Sequence, residues 1–504
     1  MYNAASGWLM TTLDSDPLIV ALVQVATALP IFLFALPAGA LADIVDKRRL
    51  LIIVQIAMAL VAAVFGMLAA VGQVTPLVLL VFTFLSGVGG ALVAPAWQAI
   101  VPQLVPRTDL QPAISLNGIG INISRAVGPA LAGLVIAGLG MAAPFFVNAV
   151  TYLGVILALL WWRPPQVVSR HLPAERFMSA IRIGLRHARY DAHLRSTLVR
   201  AIAFFAFASA YWALLPLIAR HQVSGGPGLY GILLGTIGAG AVTAAFFLPR
   251  LKVMLGPDRV VAVGAGATAL ALALFAIAHE PLVALAASVV AGIAWIAVLS
   301  NLNVSAQVAL PDWVRARGLS VFVTIFFGAM TIGSVIWGQL ATMLGLRAAL
   351  LISAAGAALA VPLTWRWKLQ TAAGLDMTPS MHWPEPVVSS EIAYDRGPVM
   401  VTVEYRIDPT RTLAFVAAMN EVAAERRRDG AYDWGLFEHA SQPGRWLEYF
   451  LVESWLEHRR QHERVTKADA DMQVRAQAFH VGETPPVVVH WLAPAHDGQE
   501  GNAP

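Results

Sequence analysis

The chain has 504 residues, of which 58% are hydrophobic and only 13% charged, with no cysteine and a formal net charge of +4. A soluble protein carries about 25% charged residues to solvate its surface, so lipid must cover much of this one; disulfides, thiol catalysis and cysteine-ligated zinc or iron–sulfur centres are excluded. Residues 1–367 hold 21 Lys and Arg against 10 Asp and Glu, whereas residues 368–504 hold 13 against 20, so two physically different parts meet near residue 370.

Ala4 to Leu13 is the first apolar stretch. It is too short to cross a bilayer, which takes about 20 helical residues, and Asp14-Ser15-Asp16-Pro17 ends it at once. It reads as the second half of a first transmembrane helix whose beginning lies upstream. Eleven complete apolar runs follow, near 17–42, 50–71, 77–101, 113–139, 142–162, 197–219, 229–248, 260–278, 282–305, 318–343 and 348–366. Loops 43–49, 102–112, 163–200, 250–259 and 306–317, with Arg366, hold 18 of the 21 basic residues, and the opposite loops hold only Arg220 and Arg347. Basic residues are retained on the cytoplasmic side, so those loops are expected there. In the longest of them, Phe177, Ile181, Leu185 and Ala188 recur at helical spacing with Arg182, Arg186 and Arg189 on another face, the pattern of an amphipathic helix on the inner leaflet.

Pro106 and Pro311, Gly128 and Gly333, and Gly133 and Gly338 are each separated by 205 residues. Two related halves, about 1–162 and 197–367 and joined by loop 163–196, follow from that repeat. After the first complete run comes Gly39-Ala40-Leu41-Ala42-Asp43-Ile44-Val45-Asp46-Lys47-Arg48-Arg49. Gly39 would allow close helix approach, and Asp43 could accept bonds from a neighbouring helix N-terminus. Positive-inside charge alone explains Lys47, Arg48 and Arg49 but neither Gly39 nor Asp43. The loop resembles the signature of the major facilitator superfamily, although Ile44 and Asp46 replace a basic residue and a glycine usual there. The resemblance implies an all-α polytopic fold of six plus six helices around a central cavity, and a gate in which Asp43 meets the helix start near Gly318, or Arg315 or Arg317.

Ala35-Leu36-Pro37-Ala38-Gly39, Leu116-Asn117-Gly118, Arg125-Ala126-Val127-Gly128-Pro129-Ala130 and Leu310-Pro311-Asp312-Trp313-Val314-Arg315-Ala316-Arg317 are similar to the transmembrane secretion effector branch, related to enterobactin-type siderophore exporters. Gly128-Pro129 is also similar to the bent fifth-helix motif of drug/proton antiporters, though Ser115, Ser124 and Ala132 stand where that motif has glycine; ordinary abundance of Gly and Pro in membrane helices is an equally good reading. Arg125 is a charge inside an apolar run, expected to face the bundle interior and touch an anionic substrate or a helix C-terminal carbonyl. No acidic residue lies deep in a complete run. The fold that the resemblance implies lines its cavity with the first, fourth, seventh and tenth helices. That nominates Trp97, Gln98, Phe207, Tyr211, Trp212, Trp295, Asn301 and Asn303 as contacts for a large, partly apolar ligand; interfacial anchoring is the alternative for Tyr211 and Trp212.

Residues 368–398 read as a linker, with prolines from Pro379 to Pro386. Residues 399–495 then read as strand (Val399–Tyr405), helix (Pro409–Arg428, Asp408 at its start and Gly430 at its end), strands Tyr432–His439 and Trp446–Glu453 across a Ser441-Gln442-Pro443-Gly444 turn, helix (about Leu456–Gln477) and strand (Val487–Trp491). The order predicts a small α+β ferredoxin-like domain, cytoplasmic by the loop charges, with 496–504 a disordered tail. With Glu453-Ser454-Trp455, His458 and His462, it resembles the antibiotic biosynthesis monooxygenase-like dimeric α+β barrels, which implies a homodimer through this domain. His458 and His462 lie on one helix face, but without a third ligand at a diagnostic spacing a solvated face is expected rather than a metal site. The whole reads as a secondary active exporter of siderophore-, drug- or metabolite-like small molecules in a bacterial inner membrane. H+ is expected as coupling ion, with no cofactor, no metal and no nucleic acid. The alternative is a membrane-tethered monooxygenase-like enzyme acting through residues 399–495.

Overall fold

The computed structural model describes residues 1–100, 104, 110–162, 177–311, 313–369, 380, 383 and 392–494. It divides into two compact units: Met1–Ala174 with Ser196–Ser305 and Ser320–Leu369, and Glu175–Arg195 with Ala306–Leu319 and Gln370–Pro504.

The first unit is helical. Its elements are α1 (Tyr2–Leu13), α2 (Pro17–Ile44), α3 (Lys47–Ala70), α4 (Pro76–Ile100), α5 (Leu110–Leu139), α6 (Ala143–Trp161), α8 (Ala192–Leu217), α9 (Pro227–Ile277), α10 (Pro281–Val308), α11 (Arg315–Leu344) and α12 (Leu346–Thr364); α7 (Phe177–Tyr190), which precedes α8, belongs to the second unit. Among the described residues nine helices are long and apolar enough to cross a membrane. Their outward faces are apolar too: Leu282, Leu363 and Leu157 are 77%, 71% and 67% exposed, as expected of a surface bathed in hydrocarbon. The runs expected at 229–248 and 260–278 are joined in α9, which is broken at Gly256 (φ 74°, ψ 162°). Glycine alone tolerates that φ, and Pro257 after it has no N–H to give the preceding turn.

Helix starts follow local chemistry. Asp16 caps α2 by accepting from the Leu18 N–H at 2.9 Å, and Asp46 caps α3 through the Arg49 N–H at 2.8 Å. Pro17 and Pro227 occupy first-turn positions, where a missing N–H costs nothing. Aromatic rings fill the interior. Phe65 meets Phe145 edge-on at 4.6 Å in the first half, and Phe205 meets Phe326 at 4.3 Å in the second.

In the second unit β1 (Val399–Arg406), α13 (Thr412–Asp429), β2 (Asp433–Glu438), β3 (Arg445–Val452), α14 (Trp455–Arg464), α15 (Lys467–Gln477) and β4 (Val487–Leu492) follow one another. The sheet order is β2-β3-β1-β4 with all neighbours antiparallel, the arrangement predicted from the element order. Val399, Val401, Val403 and Tyr405 alternate into the core with Phe415, Met419, Trp446 and Phe450, while Phe437, Val487 and Trp491 on the other face are 58%, 58% and 53% exposed. The single second helix expected is two helices: Thr466 interrupts it with a capping box in which its hydroxyl and N–H bond Asp469, which starts α15 afresh.

Candidate functional site: the seams between the halves and the gating loop

The 205-residue repeat is geometric. A Cβ built on Gly128 would lie 3.7 Å from the Met1 nitrogen at the start of α1, and one on Gly333 only 2.2 Å from the Ser209 hydroxyl of α8. The first glycine of each pair thus packs on the first helix of its own half. The second glycine crosses to the other half. A Cβ on Gly133 would lie 2.8 Å from the Pro227 carbonyl and 3.0 Å from Gly231 Cα; on Gly338 it would lie 2.7 Å from Ala21 Cβ, 3.1 Å from Leu18 Cα and 3.4 Å from the Pro17 carbonyl. Each α5-type helix therefore rests backbone-to-backbone on the first turn of the opposite half's second helix, α5 on α9 and α11 on α2. Such closeness needs residues without a side chain.

Polar and aromatic contacts reinforce these two seams, all at the helix ends away from the basic loops. Thr342 donates to the Asp16 carboxylate and accepts from the Leu18 N–H at 3.1 Å. Trp8 stacks on Tyr230 at 5.8 Å, Arg220 lies 5.7 Å over the Trp8 ring, and its guanidinium donates to Thr11 at 3.2 Å. Pro17, Leu18, Ala21, Tyr230, Gly231 and Trp8 were not singled out from the sequence. The paired "acidic or glycine, then proline" starts at Asp16-Pro17 and Gly226-Pro227 were the clue available.

At the other end, α2 continues through Ile44, which places Asp43 in its last turn; the Asp43 side chain lies outside the described residues. A Cβ on Gly39 would meet nothing within 4 Å, so the close approach expected there is not made in this state. Arg48 donates from Nε to the Leu159 carbonyl and from a terminal nitrogen to that of Leu160, each at 2.7 Å. It closes the C-terminus of α6, where cations are favoured. Asp46, which replaces the usual glycine, is the cap of α3, and Arg49 bonds it through its backbone. Arg315 reaches the Leu310 carbonyl at 3.3 Å, and Arg317 is half-buried. The side chains of Arg125 and Lys47 differ in standing: Arg125 lies outside the described side chains, and Lys47 is half-buried at the start of α3. Gly128 and Pro129 sit within α5.

The cavity nominees divide. Trp295 stands at the centre of an aromatic group with Trp212 (5.2 Å), Phe205 (5.4 Å) and Phe326 (6.0 Å). Tyr211 beside it is wholly buried against Phe275, which removes the interfacial-anchor reading for that residue. Phe207 is committed to packing inside the second half, on Trp337 at 5.8 Å and against Gly356, where a Cβ would lie 2.2 Å from its ring; the sequence could not tell which side of α8 it occupies. Asn301 is buried and donates to the Ala297 carbonyl of its own helix at 2.6 Å, and Asn303 is half-buried. Trp97 packs on the Leu50, Val54 and Leu159 cluster, whereas Gln98 is exposed.

The expectation for His458 is corrected. It is 1% exposed, with its ring 4.7 Å from His490 and 5.0 Å from His462. Burial, then the neighbouring His490 and His462, push its pKa down to about 3, so the ring is neutral at neutral pH. Flanking Arg459, Arg460 and Glu463 suggested a solvated face, but α14 lays its His458 side on the sheet. Among the described residues no group of three or more His, Cys, Asp or Glu could hold a metal ion.

A family model described as transmembrane secretion effector matches residues 1–498. The chain belongs to that family, within the major facilitator superfamily of transporters. This transmembrane secretion effector protein is 26% identical over 255 residues to a staphyloferrin A transporter of Staphylococcus aureus, spanning 49% of this chain and 62% of that one. It is 26% identical over 360 residues to the multidrug efflux pump Tap of Mycolicibacterium fortuitum, spanning 68% of this chain and 86% of that one. Solved structures share its fold: the nucleoside transporter NupG (TM-score 0.58, 13% identity, 72% and 94% of the two chains) and a bacterial homologue of the iron transporter ferroportin in an inward-facing state (0.56, 16%, 73% and 95%). It is a multi-pass membrane protein.

Proposed function

We propose that this protein exports small molecules of siderophore or drug type by alternating access, its two six-helix halves rocking about a central site. The observation that carries the reading is the pair of symmetry-related glycine seams. They join the halves backbone-to-backbone at the ends away from the basic loops, which the positive-inside rule makes the outer face. A closed outer seam belongs to an inward-open state, and the opposite state requires both seams to part together. The names of the Staphylococcus aureus and Mycolicibacterium fortuitum relatives support the cargo class. Trp295, Trp212, Phe205 and Phe326 suit a partly apolar ligand, Asp43 latches the cytoplasmic side when the seams part, and H+ is the coupling ion. The terminal domain is cytoplasmic, and its exposed Phe437, Val487 and Trp491 face pairs with a second copy.

Purified protein in proteoliposomes, with staphyloferrin A and ethidium as probes, tests this. Uptake into inside-out vesicles driven by an imposed pH gradient is expected for at least one. No gradient-dependent movement of either, with the protein shown to be folded, would refute the reading.

A further inference from the structure

The terminal domain docks within its own unit, on α7 and on the 306–319 segment. Arg186 of α7 lies 3.7 Å from the Glu457 carboxylate of α14. Arg464 of α14 ion-pairs with the same Glu457, donates to the Asp429 carbonyl at 3.0 Å, and lays its guanidinium 4.6 Å over the ring of Trp313. Trp313 meets His187 of α7 edge-on at 5.9 Å. Gly184 closes the arrangement: a Cβ there would lie 3.2 Å from Arg317 Cβ. The charges are scarcely exposed, Arg464 4% and Glu457 8%. The Arg464–Glu457 pair lies within α14 and stays together whether or not the domain is docked; what undocking breaks is the Arg186–Glu457 pair and the seat of Arg464 on the Trp313 ring, contacts of fixed geometry that a solvated tether would not make.

What is docked is significant because of where the chain goes next. α8 begins at Ala192, directly after α7, and α11 begins at Arg315. Their first turns lie in the same unit as the terminal domain. With α7 held, only residues 163–176 separate it from the first half.

We infer that the terminal domain is a clamp on the transport cycle: docked through α14, it fixes α7 and the starts of α8 and α11 as one body and so favours the state in which the contact is seen, closed at the outer seams and open on the basic-loop side. The inference rests on the alternating-access reading for its consequence, though not for the docking itself. Docking and the gate on the basic-loop side are then coupled reciprocally: anything that loosens α14 favours closing that gate, and closing the gate loosens α14.

The test uses the full chain in nanodiscs. Gly184→Trp wedges the contact from the connector side, and Trp313→Ala removes the ring under Arg464; neither touches the terminal domain's own core. Amide hydrogen exchange reads docking. Because the chain has no cysteine, spin labels on Val45→Cys and Arg250→Cys read the separation of the halves on the basic-loop side. Exchange at α7 and α14 should rise at least tenfold in both variants, with β1 and β3 unchanged, and the wide-separation population should fall by at least half. Unchanged exchange in both variants overturns the docking. Lost protection with unchanged distances, or a larger wide-separation population, overturns the clamp. A wild-type distribution with one invariant separation in every condition would instead defeat alternating access, and exchange would still decide the docking.

Discussion

Gly133→Ala should open the outer face. The added methyl would sit 2.8 Å from the Pro227 carbonyl oxygen and 3.0 Å from Gly231 Cα, both backbone atoms that no rotamer change can move. Ordinary carbon contacts are about 3.5–4.0 Å, so α5 and α9 must part by several tenths of an ångström or more. Forcing one methyl into such a seam costs about 1–3 kcal/mol. The cost falls only on the outer-closed state, and 1–3 kcal/mol changes a two-state ratio by roughly 5- to 150-fold. Gly338→Ala should do the same through Ala21 and Leu18 by the repeat. Gly138→Ala, in the same helix as Gly133 but with nothing within 4 Å of the new Cβ, is the control. The assay is labelling of Thr11→Cys by a membrane-impermeant maleimide added from the outer side. Thr11 is 3% exposed behind the seam. Labelling should accelerate at least fivefold for Gly133→Ala and Gly338→Ala and stay unchanged for Gly138→Ala. Equal labelling in all three would refute the idea that these glycines hold the outer gate.

Other outcomes follow from single contacts. Arg48→Gln should lower stability by about 1–2 kcal/mol by leaving the Leu159 and Leu160 carbonyls without a charged donor, whereas Arg49→Gln, whose contact with Asp46 is through the backbone N–H, should change detergent thermal unfolding little. His458→Gln should flatten the acid sensitivity of the terminal sheet. The folded pKa is depressed to about 3, so wild-type stability from this group is full above the unfolded value of about 6.5 and is lost as pH falls below it. From pH 7.5 to 5.5 that loss is about 1.4 kcal/mol, read as the difference between wild type and variant in exchange protection of β1 and β3. Using that difference cancels the opposite trend of Glu425, which burial pushes up to about 8. Identical pH slopes would show that His458 is not held neutral by the fold. Asp43→Asn should impair transport of a working probe with expression unchanged; undiminished flux would rule out the latch.

Much of the architecture was legible because membrane helices and half-buried strands write their periods directly. The apolar runs placed α2 to α6 and α8 to α12, the spacing of Phe177, Ile181, Leu185 and Ala188 placed α7, and the alternation from Val399 to Tyr405 placed β1. The repeat was legible as a 205-residue spacing, but its meaning was not. Which backbone meets Gly133 or Gly338 depends on how helices cross, and Pro227 and Pro17 are 94 and 321 residues away in the chain. Gly39 shows the converse: a glycine in a matching motif with open space beside it. Arg48 looked like one more positive-inside charge because the carbonyls it satisfies belong to another helix. The break between α14 and α15 was readable, since Thr466 and Asp469 have capping-box spacing. His458 was put on the wrong face for another reason: its charged neighbours Arg459, Arg460 and Glu463 hide the side of α14 that lies on the sheet.

The central claim is that two halves rock against each other, and two distances measured in the same membranes test it most directly. One spin-label pair goes on Gln73→Cys and His279→Cys, in exposed turns on the outer side; the other goes on Val45→Cys and Arg250→Cys. As a pH gradient or a transported probe shifts the equilibrium, one separation should widen as the other narrows, and Gly133→Ala should lengthen the outer distance. Distances that change together, or that never change, would contradict the account.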